Sequence, residues 1–227
     1  MTSLKSGLIL VFAAVLAFLT TASYGHSDNQ SRNVTSIAIE DFDQLWTWKA
    51  KPGTMDEAKA QIKIIDSGAE LALLYPEEEK GKTRKSLGFK CGFLHRGYNW
   101  VEFYPPGAIE LPGKSKQLQI WVCGMKYNYT LEIYVEDYRG MIHCLDMGSL
   151  YFSGWRSLTR DLPSVIPQEE ENYPKDRPLR ITKIVVRADP YERIDRFYVY
   201  FDQIKVITDV YSEQFDGLEL IRKSDWK

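Results

Sequence analysis

Leu118–Met147 reads LQIWVCGMKYNYTLEIYVEDYRGMIHCLDM, and this stretch decides the fold class. Apolar residues alternate with polar or aromatic ones along two runs, 118–123 and 129–136. A period of two is typical of a β-strand with one packed face and one wetter face. The DYRG sequence at Asp137–Gly140 predicts a hairpin-type turn, after which Met141–Met147 returns as a third strand.

Similar patterns on both sides of this stretch predict further strands. They lie at Ser36–Phe42, Tyr98–Tyr104, Leu179–Arg187 (with an irregularity near Lys183) and Arg196–Thr208. Helical patterns are scarce, and Asp56–Ile64 fits a short helix or a strand equally well. Two charged segments, Pro76–Lys85 and Pro167–Pro178, are typical of solvated connections. Many short strands separated by turn signals predict an all-β protein, a β-sandwich of the jelly-roll type.

The first 25 residues are typical of a secretory signal peptide. Lys5 precedes an apolar run, Leu8–Ala22, which is shorter than the roughly 20 residues that a membrane span needs. Ser23 and Gly25 fit a cleavage site before His26, and an uncleaved membrane anchor is the alternative. We therefore predict a signal peptide at 1–25, a flexible arm at 26–34, one β-sandwich domain at 35–210 and a tail at 211–227. After cleavage the chain would have no stable membrane insertion.

Composition and motifs exclude several classes of function. The chain has 227 residues, 13% of them aromatic, and a formal net charge of −2, so it is an ordinary folded protein without the basic excess that binds nucleic acid. It contains no phosphate loop, dinucleotide fingerprint or nucleophile elbow. Glu132, Glu136 and Asp137 could face a cleft, but exposed strand carboxylates are far commoner than catalytic pairs. We predict that the protein is not an enzyme.

Three cysteines and two carboxylates raise the question of disulfides and metals. Cys91, Cys123 and Cys144 cannot all pair within one chain, so either one bridge forms or all three are small buried side chains. Glu40 closes the first predicted strand and Asp202 interrupts the apolar last one. Carboxylates on the terminal strands of a sandwich can share a Ca²⁺ ion. The alternative, which we favour, is that Asp202 caps a turn or binds a buried hydroxyl.

Aromatic residues are abundant enough to suggest a binding surface. Trp100 and Trp121 lie at alternation positions opposite the aliphatic face of their strands, so they are predicted to be the exposed pair. Exposed aromatic rings stack on sugars or fill protein interfaces. A sandwich core, however, easily absorbs half of the aromatic residues in this chain.

The quoted stretch also resembles a known family. Leu111–Pro163 is similar to the central segment of the spirochaete flagellar filament outer layer proteins, the FlaA-type sheath family. The matching features are IWVxG at Ile120–Gly124, Asp137 with Gly140 at the turn, GW at Gly154–Trp155 and the closing Leu162-Pro163. The opening IAIEDFDQLW and the ending DPYERIDRFYVYFDQIKVITD also fit, so the resemblance covers roughly residues 37–210. The cysteines, Cys123 above all, are a departure from the motif.

The resemblance implies a structural protein of the periplasm and the periplasmic flagellum. It would coat the flagellin core and influence filament stiffness, curvature and motility. Its partners would be core flagellin, other sheath proteins and lateral copies of itself, with 167–178 and 212–227 as candidate contact segments. Apart from the Ca²⁺ ion considered above, no cofactor is expected. The alternative is a periplasmic or secreted carbohydrate-binding module, because an acidic-Phe opening, a GW pair and a YVYFDQI ending also occur in modules with a galactose-binding-like jelly roll.

Overall fold

The computed structural model describes residues 34–42, 48–53, 59–69, 85–170 and 173–209. All of them belong to one compact unit, Arg32–Lys227. The predicted signal peptide, the tail, and all but the last residue of the predicted arm and of the Pro76–Lys85 segment lie outside the described residues. In the part of the chain that the structure describes, no helix is long and apolar enough to cross a membrane.

Two antiparallel six-stranded sheets form the fold, which confirms the predicted all-β sandwich. The first sheet contains β1 (Val34–Glu40), β3 (Lys59–Ile65), β4 (Ser86–Gly92), β7 (Lys114–Met125), β10 (Ser153–Asp161) and β14 (Phe197–Asp209). The second contains β2 (Lys49–Pro52), β5 (Trp100–Tyr104), β6 (Ile109–Glu110), β8 (Tyr129–Glu136), β9 (Ile142–Ser149) and β13 (Arg180–Ala188). The chain repeatedly crosses between the sheets, as it does from β4 to β5 and from β13 to β14.

Strand order places β14 at the centre of the first sheet and β13 at the centre of the second. The first sheet runs β10-β7-β14-β4-β3, with β1 also paired to β14, and the second runs β2-β5-β13-β8-β9, with β6 beside β13. Between them lies an aromatic and aliphatic core. Phe103 contacts Phe89 and Phe201 edge-to-face, with ring centroids 4.8 and 5.1 Å apart. This geometry is the preferred one for aromatic pairs, so these rings fix how the two sheets face each other.

Most of the predicted strands occur within two or three residues of their expected bounds. The DYRG turn is present: the Gly140 N–H donates to the Asp137 carbonyl, and Gly140 has a φ of 80°. The irregularity expected near Lys183 is a shift of register between Ile181 and Lys183 where β13 pairs with β8. The undecided Asp56–Ile64 stretch is a strand from Lys59 onward, because it pairs with β4 along its whole length.

Two features differ from the sequence-based expectation. The Pro167–Pro178 segment is more than a solvated connection: within it, β11 (Glu169–Glu170) pairs with β12 (Tyr173–Asp176).

The second difference is β10, which carries no clear alternation in its sequence, yet pairs with β7 along nine residues. Its inward positions include Arg156 and Arg160, which stay exposed at the open edge of the first sheet. Charged residues that point inward on an edge strand discourage uncontrolled pairing with other chains.

Candidate functional site: the charged face of the second sheet

The outer surface of the second sheet carries an ordered group of polar and aromatic side chains. On β5, Val101 and Phe103 are completely buried, so the intervening residues point away from the core. The same alternation on β8 and β13 directs their polar residues to this side. We call this group the charged face, and it consists of Trp100, Glu102, Tyr104, Glu132, Tyr134, Lys183 and Arg187.

Arg187 and Glu132 form the central ion pair of the charged face. The guanidinium donates two hydrogen bonds, from Nε to Oε1 at 2.8 Å and from Nη2 to Oε2 at 2.9 Å. The Tyr134 hydroxyl also donates to Oε2 of Glu132 at 3.0 Å. A bidentate guanidinium–carboxylate pair fixes the orientation of both partners, so this part of the face is rigid.

Lys183 and Glu102 form a second ion pair beside the first. Lys183 Nζ lies 2.7 Å from Oε1 of Glu102, and the Tyr104 hydroxyl donates to Oε2 at 2.7 Å. The same Lys183 ammonium lies 4.8 Å from the centre of the Tyr134 ring, which is within cation–π distance. Lys183 therefore links the two carboxylate clusters.

Val185 shows how tightly these side chains pack. It lies opposite both Glu102 and Glu132 in register, on the outer side of the sheet, yet it is only 1% exposed and does not belong to the main core cluster. The side chains of the charged face must therefore cover it. Apolar contact beneath the ion pairs holds the charged groups close together and partly shields them from water.

The pKa values follow this arrangement. The hydrogen bond from Arg187 lowers the pKa of Glu132, and the bond to Glu132 raises the pKa of Arg187. Burial, followed by the hydrogen bond to Glu132, raises the pKa of Tyr134 to about 12. At neutral pH the two carboxylates are ionised and Tyr134 is protonated. Two negative and two positive side chains then balance each other within the charged face.

Trp100 and Trp121, which were predicted to be exposed, are both half-buried and lie on different sheets. Trp100 belongs to the charged face and is opposite Arg187 in register. Its indole occupies the space in which a Cβ on Gly53 would lie, only 1.9 Å from ring atoms. Trp121 lies on the outer side of the first sheet, opposite Ser157 and Asp202. The two tryptophans therefore cannot form one continuous surface.

The candidate Ca²⁺ ligands Glu40 and Asp202 each have other hydrogen-bonding partners. Asp202 is 3% exposed and accepts hydrogen bonds from the N–H groups of Ala69 and Gln203, both at 2.8 Å. Glu40 accepts from the Phe42 N–H at 2.7 Å, and burial raises its pKa. Among the described residues, no group of three or more His, Cys, Asp or Glu side chains is placed to hold a metal ion. The Ca²⁺ site stays a prediction, and the geometry at Asp202 matches the favoured alternative of a capping carboxylate.

The carboxylates considered for catalysis lie in structural positions. Asp137 is buried inside the turn, where it accepts hydrogen bonds from the Arg139 and Met141 N–H groups and lies 2.9 Å from His143 Nε2. Glu136 pairs with Arg180, and Glu132 with Arg187. Each carboxylate therefore has a partner that accounts for its presence.

The three cysteines are free thiols in different environments. Cys91 is buried in the core, and burial raises its pKa to about 11. Cys123 is half-buried on the outer side of the first sheet, and Cys144 is exposed on β9 of the second. Of the two alternatives, one bridge or three buried side chains, the structure shows no bridge, and it buries Cys91 but not Cys144.

Most of the charged face was not predicted from the sequence. Trp100, Tyr104 and Tyr134 were among the aromatic candidates for a binding surface, but Lys183 and Arg187 were given no binding role. Glu132 was considered only as half of a catalytic pair. The signal that the sequence offers for these residues is that each occupies an outward-facing position in its strand pattern. Pairing partners such as Glu132 and Arg187 lie 55 residues apart, so the sequence does not show that they meet.

Comparison with known proteins places the chain in a family. The family model of the flagellar filament outer layer protein FlaA matches residues 14–216. This chain belongs to the FlaA family. The resemblance found in the sequence is thereby confirmed.

Curated FlaA relatives come from spirochaetes. A putative flagellar filament outer layer-like protein of Brachyspira hyodysenteriae is 30% identical over 198 residues, which cover 86% of this chain and 90% of that protein. The flagellar filament outer layer protein of Borreliella burgdorferi is 26% identical over 154 residues, or 64% of this chain and 45% of that protein. The flagellar filament outer layer protein of Spirochaeta aurantia is 29% identical over 111 residues, which cover 45% of this chain and 33% of that protein. This FlaA chain thus matches less than half the length of the last two relatives.

Solved structures with a similar fold include carbohydrate-binding modules. A family 11 module of a Clostridium thermocellum cellulase is 14% identical, with a TM-score of 0.44, covering 77% of this chain and 95% of that one. A module solved with β-1,4-galactotriose is 14% identical, with a TM-score of 0.40, covering 73% and 89%. At sequence identities this low, the similarity concerns only the fold.

We predict that the Arg187–Glu132 pair makes stability depend on pH. Because the pKa of Glu132 is lower in the folded state than its ordinary value of 4.5, its contribution is complete above that pH and is lost as the pH falls through the lowered pKa. The difference in unfolding free energy between the wild type and Glu132→Gln should therefore shrink between pH 6 and pH 3. Urea denaturation across this range measures it. The exposed Glu110→Gln variant is the control, and a difference that stays constant at all pH values would contradict the prediction.

We also predict that Asp202 stabilises the fold through its backbone contacts. Asp202→Ala removes the acceptor for two N–H groups at a buried site and should cost about 1–3 kcal/mol of unfolding free energy. Asp161→Ala, at an exposed position on β10, is the control and should change it by less than about 0.5 kcal/mol. Denaturation should give the same loss with Ca²⁺ and with EDTA. A wild-type stability that falls in EDTA, with the variant insensitive, would instead support a calcium site.

Proposed function

We propose that this chain is a structural, non-enzymatic subunit of the outer layer of a periplasmic flagellar filament. It would contact the flagellin core, other sheath proteins and neighbouring copies of itself, and would influence filament stiffness, curvature and motility. Membership of the FlaA family is the observation that carries this proposal. The predicted signal peptide supports the periplasmic location.

One end of the sandwich has the properties of a protein-binding surface. Four connections meet there, from β4 to β5, β7 to β8, β9 to β10 and β13 to β14, and hydrogen bonds join them, such as Phe93 N–H to the Ile194 carbonyl and Asp189 N–H to the Asn128 carbonyl. Their exposed apolar and aromatic side chains form what we call the loop-end surface. It consists of Leu94 (54% exposed), Tyr98 (79%), Tyr151 (64%) and Tyr191 (87%).

Several large, exposed side chains at one end of a domain favour a role in association. Tyrosine is enriched at protein interfaces because it combines a large apolar ring with a hydroxyl group. The hydrogen bonds between the loops hold their backbones in place, so little ordering would be needed when a partner binds. We therefore assign the loop-end surface to contacts within the filament, in addition to the candidate segments 167–178 and 212–227.

The test is to isolate filaments from the source cells and measure this chain in the pellet by quantitative mass spectrometry. We expect co-sedimentation at a fixed ratio to flagellin and its loss when the flagellin core is absent. The double variant Tyr98→Ser/Tyr191→Ser should reduce incorporation several-fold, because it removes two exposed rings from the loop-end surface without touching the core.

Met141→Ser is the matched control for that experiment. Met141 is 60% exposed and lies between β8 and β9, at the opposite end of the sandwich and outside the candidate contact segments. Its incorporation should be normal. If wild-type protein remains in the soluble fraction, the filament role is wrong. If the wild type and the double variant both incorporate normally, the filament role stands and the assignment of the loop-end surface is wrong.

A further inference from the structure

We propose that the charged face binds a neutral oligosaccharide, with Trp100 as the stacking platform and the paired side chains as hydrogen-bonding groups. No filament contact is needed for this activity. The proposal therefore goes beyond the structural role and can be tested on the purified protein alone.

The balance of charge on the charged face indicates the class of ligand. Glu102 and Glu132 are paired with Lys183 and Arg187, so the centre of the face offers hydrogen-bond donors and acceptors without a net charge. An anion would meet two carboxylates there, and a cation would meet an ammonium and a guanidinium. A ligand with many hydroxyl groups, each able to donate and to accept, matches such a mixture.

The charged face is organised before any ligand binds. Bidentate contact holds Arg187, Lys183 touches both carboxylate clusters, and Val185 is buried beneath them. Side chains already fixed in place lose little freedom on binding, which improves affinity. Isolated surface residues of the same types would lose conformational entropy on binding, which would weaken the affinity.

Trp100 supplies the apolar part of the site. Its half-buried indole lies at one margin of the face, next to Arg187 across the strand pair. Gly53 is needed for this position, because a Cβ there would overlap the ring. An indole held against the backbone on one side and partly open on another is suited to stacking against the C–H groups of a sugar ring.

The size of the charged face favours a chain of sugars over a single sugar. Its side chains come from three adjacent strands, β5, β13 and β8. At about 4.8 Å between neighbouring strands, the site is roughly 10 Å across. Exposed Lys51 on β2 and Asp146 on β9 continue it on the two sides. Lys49 adds a further positive charge at the β2 margin.

Trp121 provides a matched contrast on the opposite side of the molecule. It is the same residue type and is also half-buried, but it lies opposite Asp202, whose carboxylate accepts a hydrogen bond from the backbone N–H of Ala69. The chain at Ala69 therefore lies against this part of the first sheet. No row of paired charges comparable to the charged face surrounds Trp121 among the described residues.

The experiment is native affinity electrophoresis of the full-length protein in gels that contain a mixed-linkage β-glucan, a galactan, a mannan or, as an anionic contrast, polygalacturonate. We expect retardation by at least one neutral polysaccharide and none by polygalacturonate. Trp100→Ala should weaken the binding about tenfold or more, by analogy with the stacking of nucleic-acid bases on aromatic side chains. Trp121→Ala should bind like the wild type.

A second variant keeps the test decisive if Trp100→Ala folds poorly. Gly53→Ala retains every side chain of the charged face but displaces the Trp100 ring, so it should show the same loss of binding. Circular dichroism checks the fold of each variant. Absence of retardation by all three neutral polysaccharides, or loss of binding in Trp121→Ala but not in Gly53→Ala, would overturn the proposal.

Two sources could present such a glycan, a polysaccharide of the envelope or a sugar chain attached to a filament protein. A competition experiment distinguishes the two sources. Binding of the protein is measured to the isolated envelope fraction and to washed filaments, each with and without the free polysaccharide that retards the protein in the gel. The fraction from which wild-type protein is displaced, while Trp100→Ala does not bind it, identifies the source. Filament association that persists in Trp100→Ala would leave the structural role intact.

Discussion

The pairing of β14 is the constraint on which the rest of the structure depends. This 13-residue strand lies between β4 and β7 and also holds β1, so it connects most of the first sheet. Phe197, Val199 and Phe201 face the core with almost no exposure, and Phe201 contacts Phe103 of the second sheet. Burial of apolar area of this kind is the main stabilising term of folding, and here it also sets which side of each strand points outward.

The charged face is a consequence of that burial. Because the inward positions of β5, β8 and β13 are filled by apolar residues, their polar residues must share the outer side of the second sheet. The register of the strands then decides which of them meet. Lys183 and Arg187 are four residues apart, so the regular alternation of β13 places both on the outer side. The shift between Ile181 and Lys183 keeps Ile181 in the core, whereas a regular strand would place it on the outer side with Lys183.

The sequence predicted what depends on local pattern and missed what depends on pairing. Alternation at 118–123 and 129–136 and the DYRG turn were sufficient for the sandwich, since these signals lie within a few residues of each other. β10 was missed because Arg156 and Arg160 occupy inward positions at an open edge, which breaks the alternation. Trp100 and Trp121 lie on different sheets because their strands join different sheets. Strand order depends on pairing between distant segments, so no single segment of the sequence predicts it.

The loop-end surface and the charged face meet at one short segment of chain. Tyr98 projects from the loop, and two residues later Trp100 begins β5. Between them, Asn99 is nearly buried: its N–H donates to the Gly97 carbonyl, its side-chain amide donates to the His95 carbonyl, and its own carbonyl accepts from the Ala188 N–H. A protein contact at Tyr98 and a ligand at Trp100 would therefore act on the same fixed backbone. Since that backbone is held from both sides, neither contact would have to pay for ordering it, and a sugar on a neighbouring chain would reinforce the protein contact that brings it close.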